Sequence, residues 1–293
     1  MSSITDVVKE GLKYPFNDGK KVLVLGLIFL ISSFISFFIQ YLAYDSMKVI
    51  AENAPIDTAQ KAFSMIPQTN MALIVLSFIV IFILMIFCSG YLYNVIKYSI
   101  EARFELPEFK DIKGIFLNGI RSLIVGIAYT ILPAILFLLG LMLTVNESID
   151  CSINYIGGII LIISIILAIF ISLVEIMAMS NMIYNDELAA AFRFREILAL
   201  IKNIGWIKFI GILLFSFITI MIISAFFNFL FGAIAFGISI LTGSALVLAL
   251  INLILNALLI ESYTSIVISR IYGSIYKEAT NIGGNDGELE KLE

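Results

Sequence analysis

An all-α integral membrane bundle of six transmembrane helices is the fold class this chain predicts, and three observations carry it. Of 293 residues, 61% are hydrophobic and 14% charged, against about 45–50% and 25% in soluble domains, so the chain cannot cover itself against water. Apolar runs long enough to cross a hydrocarbon core of about 30 Å recur along its whole length. Lys and Arg collect on alternate sides of those runs.

The first run, residues 22–44, is free of charge for 23 residues. No charge falls between Lys61 and Lys97, which places the second span at about 71–95. Arg121 and Glu147 bracket the third, about 122–145, and Asp150 and Glu175 bracket most of the fourth, about 155–183. Residues 209–260 then hold 52 residues without a charge, about 78 Å of helix at 1.5 Å per residue. One helix of that length does not fit the bilayer, so the run reads as a hairpin turning near Gly232, Gly237 and Gly243. The fifth span is then about 206–230 and the sixth about 244–271, giving three hairpins with amphipathic interfacial helices between them. One membrane domain covers 1–280, and 281–293 reads as a disordered acidic tail.

Orientation follows from the cations. Residues 1–21 carry four, 94–121 five, 184–208 four and the C-terminal region three (Arg270, Lys277, Lys291), whereas the other side has Lys48 and Lys61 alone. Sixteen against two puts both termini in the cytoplasm of a multi-pass cell-membrane protein. The first twenty residues are polar and no small-x-small pattern follows the first run, so that run is expected to persist as a helix. Of the other loops, 45–70 has room for a short helix between Pro55 and Pro67, and 146–154 is short and acidic. Cys88 lies in a span and Cys151 in that loop, so no disulfide between them is expected.

The segments on the basic side share a grammar: an aromatic or proline cluster, basic residues, then a span with an early glycine. They are Tyr14-Pro15-Phe16-Asn17-Asp18 before Gly26, Leu106-Pro107-Glu108-Phe109 before Gly126, and Phe192-Arg193-Phe194 before Gly211. Three helix–hairpin units would produce this, and so would the ordinary collection of aromatics and cations at interfaces. In the third segment Phe194, Ile197, Leu198, Ile201 and Ile204 keep helical spacing with Arg195, Lys202 and Asn203 opposite, which predicts a helix over 186–204 capped by Asn185 and left at Gly205. Its basic face suits anionic lipid. Trp206 and the tyrosines at span ends read as interfacial anchors.

Lys13-Tyr14-Pro15-Phe16-Asn17-Asp18, the run from Leu106 to Asp111 leading into Gly119 and Gly126, Tyr129 with Leu132-Pro133, and Tyr272-Gly273-Ser274-Ile275-Tyr276-Lys277-Glu278-Ala279 together resemble the DUF4013 membrane proteins, a prokaryotic and largely archaeal family. The likeness runs in order through nearly the whole chain, and extends distantly to the membrane portion of some glycerophosphodiester phosphodiesterases. It implies a polytopic α-helical protein and no catalytic activity.

The chain has no histidine, which removes Ser-His-Asp and Cys-His systems, histidine metal sites and the usual base near neutrality. Neither a phosphate loop nor an acidic cluster of metal spacing is present, and 18 scattered cations make no nucleic-acid groove. We therefore expect no catalytic residue, no cofactor and no metal. Gly157-Gly158 reads as a helix-packing step. Pro133 inside the third span reads as a kink. The remaining candidates are polar groups inside spans. Asn252 and Asn256 lie one turn apart on the sixth span, and Asn228 and Gln40 lie on the fifth and first. Interhelical hydrogen bonding is their bland reading. Glu175 and Glu261 sit about 26–30 Å from the exterior ends of their spans, where each could pair with Arg270 or Lys208 or form a shared acidic site. At 100° per residue Glu261 is about 180° from Asn252. Two functions stay open: a non-catalytic scaffold, lipid-organising or partner-binding component (its partners the bilayer, anionic lipids, another membrane protein or a second copy), and a small permease or channel.

Overall fold

The computed structural model describes residues 3–52, 65–144 and 155–280. In chain order the elements are α1 (Ile4–Lys13), a 3₁₀ turn at Tyr14–Asn17, α2 (Gly19–Glu52), α3 (Gln68–Ile100), α4 (Ile112–Thr144), α5 (Tyr155–Asn185), a second 3₁₀ turn at Leu188–Phe192, α6 (Phe194–Ile204), α7 (Trp206–Thr242) and α8 (Ala245–Ala279). No strand occurs among the described residues. Six of the helices (α2, α3, α4, α5, α7 and α8) are long and apolar enough to cross a membrane. Only helices and closed barrels satisfy every backbone group inside a bilayer. The chain is thus an all-helical, multi-pass membrane protein. The expected break at Pro55, the acidic loop with Cys151 and the tail from Asn281 lie outside the described residues.

The helices run past the expected spans at most ends. The clearest case is α7, whose 37 residues continue through Gly232 and Gly237 to Thr242. At 1.5 Å per residue it is about 55 Å long. The turn expected somewhere in 231–243 is confined to Gly243 and Ser244. Gly243 has φ +65°, a backbone shape that costs glycine little and other residues more.

α1 begins with a reciprocal cap: the Asp6 N–H donates to the Ser3 hydroxyl at 3.2 Å, and the Ser3 N–H donates to the Asp6 carboxylate at 3.1 Å. Its Val7, Val8 and Gly11 are buried. The helix expected over 186–204 is broken. Asn185 ends α5 and bonds back to Asn181, Asp186 takes φ +50°, and α6 starts only at Phe194. Leu188–Phe192 forms a 3₁₀ turn instead, tied to other helices: Asn181 donates to the Ala190 carbonyl and Tyr129 to the Ala191 carbonyl. Ile197, Ile201 and Ile204 are buried, so this face of α6 packs on protein and not on lipid.

The contacts fall into two compact units, described separately. One lies within Met1–Asn17, Ser89–Ile218 and Ile266–Glu293, and the other within Asp18–Cys88 and Thr219–Ser265. In the first, α4 and α5 pack along much of their length, and the α4 glycine Gly140 approaches Leu161 so closely that a Cβ there would lie 2.9 Å from its Cγ. Of the expected packing pair, Gly157 meets Thr144 while Gly158 faces open space. In the second unit α2 packs on a π-helical stretch of α8, Asn256–Glu261, where a Cβ on Gly26 would lie 2.5 Å from the Leu258 carbonyl oxygen. That stretch winds differently from an α-helix, so the count of 100° per residue between Asn252 and Glu261 does not hold.

Candidate functional site

α1 with Tyr14, the loop at residues 103–105 and α8 meet at one side chain of the first unit. Arg270 on α8 is 1% exposed. Its Nη2 donates to Glu10 Oε1 at 2.5 Å and its Nε to the same oxygen at 3.2 Å. Its Nη1 donates to the Arg103 carbonyl at 2.6 Å. The guanidinium lies over the Tyr14 ring, 4.4 Å from its centroid, with Phe104 at 6.0 Å. Tyr14 donates to the Glu105 carbonyl at 2.6 Å and Asn17 to that of Phe104 at 2.7 Å. Ser99 on α3 in turn donates to the Arg270 carbonyl at 2.6 Å. A planar cation with donors and face engaged in this way fixes α1, residues 103–105 and α8 together. It is shielded from any ligand.

Burial pushes the Tyr14 phenol up to about 12 from its ordinary 10.0. The folded protein therefore holds this proton more tightly than the unfolded chain does. The corresponding stability is fully present below pH 10 and is lost as pH rises through 12. Tyr14→Phe should flatten that part of the stability–pH curve, measured by thermal unfolding in detergent between pH 9 and 12. An unchanged slope would mean that the Tyr14 hydroxyl is not held as described.

A second polar knot lies on α5. Asn181 is fully buried; it donates to the Ala190 carbonyl at 3.0 Å and accepts from the Tyr276 hydroxyl at 2.6 Å. Tyr129 donates to the Ala191 carbonyl at 2.6 Å, Lys208 pairs with Glu278 at 2.5 Å, and Arg121 pairs with Asp186 at 2.6 Å. Asn94 and Asn118 bond across α3 and α4 at 3.0 Å. Tyr91 donates to the Pro107 carbonyl and stacks on Phe109 at 4.1 Å. Several tyrosines read as interfacial anchors thus hold specific loops to helices.

The polar residues singled out in the spans are placed differently from that reading. Asn252 donates to the Leu248 carbonyl, Asn256 to that of Asn252, and Asn228 to that of Ser224. Each is a bond to its own helix four residues back and not a link between helices. An amide with no polar neighbour within reach satisfies itself locally. Gln40 is exposed. Arg270 and Lys208, the cations proposed for Glu175 and Glu261, are taken by Glu10 and Glu278. Glu175 is half-buried, with its carboxylate in the space left by Gly126: a Cβ there would lie 3.6 Å from Oε1. Glu261 is exposed at the end of the π stretch. Glu175 belongs to the first unit, and Glu261, Asn252 and Asn256 to the second. No group of three or more His, Cys, Asp or Glu poised for a metal occurs among the described residues.

Residues 72–232, from the start of α3 to within α7, match a family described as a protein of unknown function, DUF4013. The chain belongs to that family. The stretch matched to DUF4013 carries the second polar knot up to Lys208, while Glu10, Tyr14 and Arg270 lie outside it. No curated protein and no solved structure matches this DUF4013 chain significantly.

The pairing of Arg270 with Glu10 escaped the sequence reading because it crosses 260 residues. One signal was available: Arg270 is the only charge between Glu261 and Lys277. A cation so placed needs a partner from outside its own helix.

Proposed function

We propose that this protein is a non-catalytic component of the cell membrane, organising lipid or binding a membrane partner, with its basic ends and both termini in the cytoplasm. The observation that supports it most is how its strongest polar groups are used. Arg270, Tyr14, Asn181, Tyr276 and Tyr129 all bind backbone or one another. Groups used in this way tie helices and loops together, which supports a structural role over a reactive centre.

The orientation has a direct test. After Cys88 and Cys151 are replaced, single cysteines at positions 57 or 148 should react with an impermeant thiol reagent from outside. Those at the exposed positions Lys113 and Glu187 should react only after lysis. Labelling of 187 in intact cells would reverse the assignment.

A specific feature favours the permease reading: the π stretch of α8 carries Asn256 and ends at Glu261, and such departures from α-geometry recur at functional sites. Purified protein in sealed vesicles separates the two readings. We expect no pH-driven ion or small-solute flux above protein-free vesicles, and no difference on Glu175→Gln or Glu261→Gln, both variants remaining folded and inserted. Flux that either substitution abolishes would establish the permease instead.

A further inference from the structure

A groove in the first unit is lined almost wholly by apolar side chains. Ala128, Tyr129 and Leu132 of α4, Phe170 and Val174 of α5, and Leu198 of α6 form its main walls around about 230 Å³. Pockets that enclose a compact drug-sized molecule are larger, about 300–1,000 Å³. The one hydroxyl on the wall, that of Tyr129, is already donated to the Ala191 carbonyl. The interior therefore offers nothing to a headgroup and everything to a tail. Phe192 and Phe194 close one end, their rings 6.1 and 5.9 Å from that of Tyr129. Trp206 stacks on Phe170 at 6.0 Å, and tryptophan marks the headgroup level of a bilayer.

Cations flank the groove on α6. Arg193 is engaged by Glu187 and Glu196. Arg195 and Lys202 have no hydrogen-bond or ion-pair partner among the described residues, and both are exposed. At 100° per residue they sit about 40–100° around α6 from Phe194 and Leu198. Ile197, Ile201 and Ile204, on the other flank, are buried. The free cations thus border the apolar wall instead of opposing it.

We propose that this groove binds one acyl chain of an anionic bilayer phospholipid, with the headgroup held by Arg195 and Lys202. The site deepens the lipid-organising reading above and rests on it.

Trp206 is the only tryptophan of the chain, so its fluorescence reports on this groove. The full-length protein would be reconstituted with phosphatidylglycerol or phosphatidylcholine carrying brominated acyl chains, which quench a tryptophan they touch. We expect phosphatidylglycerol to bind more tightly by about fivefold per cation, Arg195→Gln to remove much of that preference, and Ala128→Phe, which fills the groove, to reduce quenching by both lipids. Equal quenching by the two lipids, unaltered in both variants, would show only the ordinary lipid annulus and overturn the site. So would quenching that falls as the protein-to-lipid ratio rises, because a second copy would then occupy the groove. If Ala128→Phe fails to fold, Arg195→Gln at an exposed, unpartnered position decides the matter alone. Flux in sealed vesicles would overturn the non-transport reading and leave this site standing, whereas loss of headgroup preference would remove the site and leave that reading intact.

Discussion

Arg270→Met is expected to destabilise the protein by about 2–3 kcal/mol, the cost of losing charged hydrogen bonds at a buried site. Methionine fills much of the space but leaves the Arg103 carbonyl without its donor and the Tyr14 ring without its cation. Glu10→Gln should cost far less, about 1 kcal/mol or below, because Gln retains an oxygen acceptor and the Glu10 side chain is 46% exposed. Thermal unfolding in one detergent would show a drop on the order of 5–10 °C for the first variant and a small one for the second. Equal, small shifts would mean that the guanidinium does not join α1 to α8. The cysteine reagents described above would give a second readout, since release of α1 should raise labelling of a cysteine placed at the buried Val8.

The second large effect is expected at Gly90 on α3. A Cβ there would fall 1.7 Å from the Ile115 carbonyl oxygen and 2.8 Å from the Gly119 backbone nitrogen of α4. Both are backbone atoms, so the clash cannot be relieved by a change of rotamer. Gly90→Ala must push the helices apart and loosen the Asn94–Asn118 hydrogen bond one turn away. We expect a cost of about 3 kcal/mol, the upper end for an overpacked core. Gly158→Ala is the control, because nothing lies within 4 Å of that position. It should be neutral or slightly stabilising, since alanine favours helix by up to ~1 kcal/mol. A Gly90→Ala protein that unfolds with the Gly158→Ala protein would disprove the close crossing.

The contrast between Gly157 and Gly158 shows where reading a sequence stops. Both were legible as small residues in an apolar helix, which is a packing signal. Which of them meets Thr144 depends on the rotation of α5 against α4, and hydropathy carries no information about rotation inside a uniformly apolar helix. The same holds for α6. Its amphipathic spacing was legible from Phe194 to Ile204, but its start was not, because the turn at Leu188–Phe192 is held by Asn181 and Tyr129 of other helices, which donate to the Ala190 and Ala191 carbonyls. The π stretch at Asn256–Glu261 lacks any glycine or proline, so no local breaker announced it.

By itself the sequence determined the six apolar helices and the hairpin that divides residues 209–260. Apolar length is a property each segment carries alone, and a bilayer accepts only segments long enough to cross it with every backbone group bonded. The tertiary structure alone decided which polar groups are paired. Glu10 reaches Arg270, Tyr276 reaches Asn181 and Lys208 reaches Glu278, leaving Glu175 and Glu261 without the cations a local reading would give them. The physical reason is range: insertion is settled within about twenty residues, whereas an ion pair follows distance in space, which separation along the chain does not reveal.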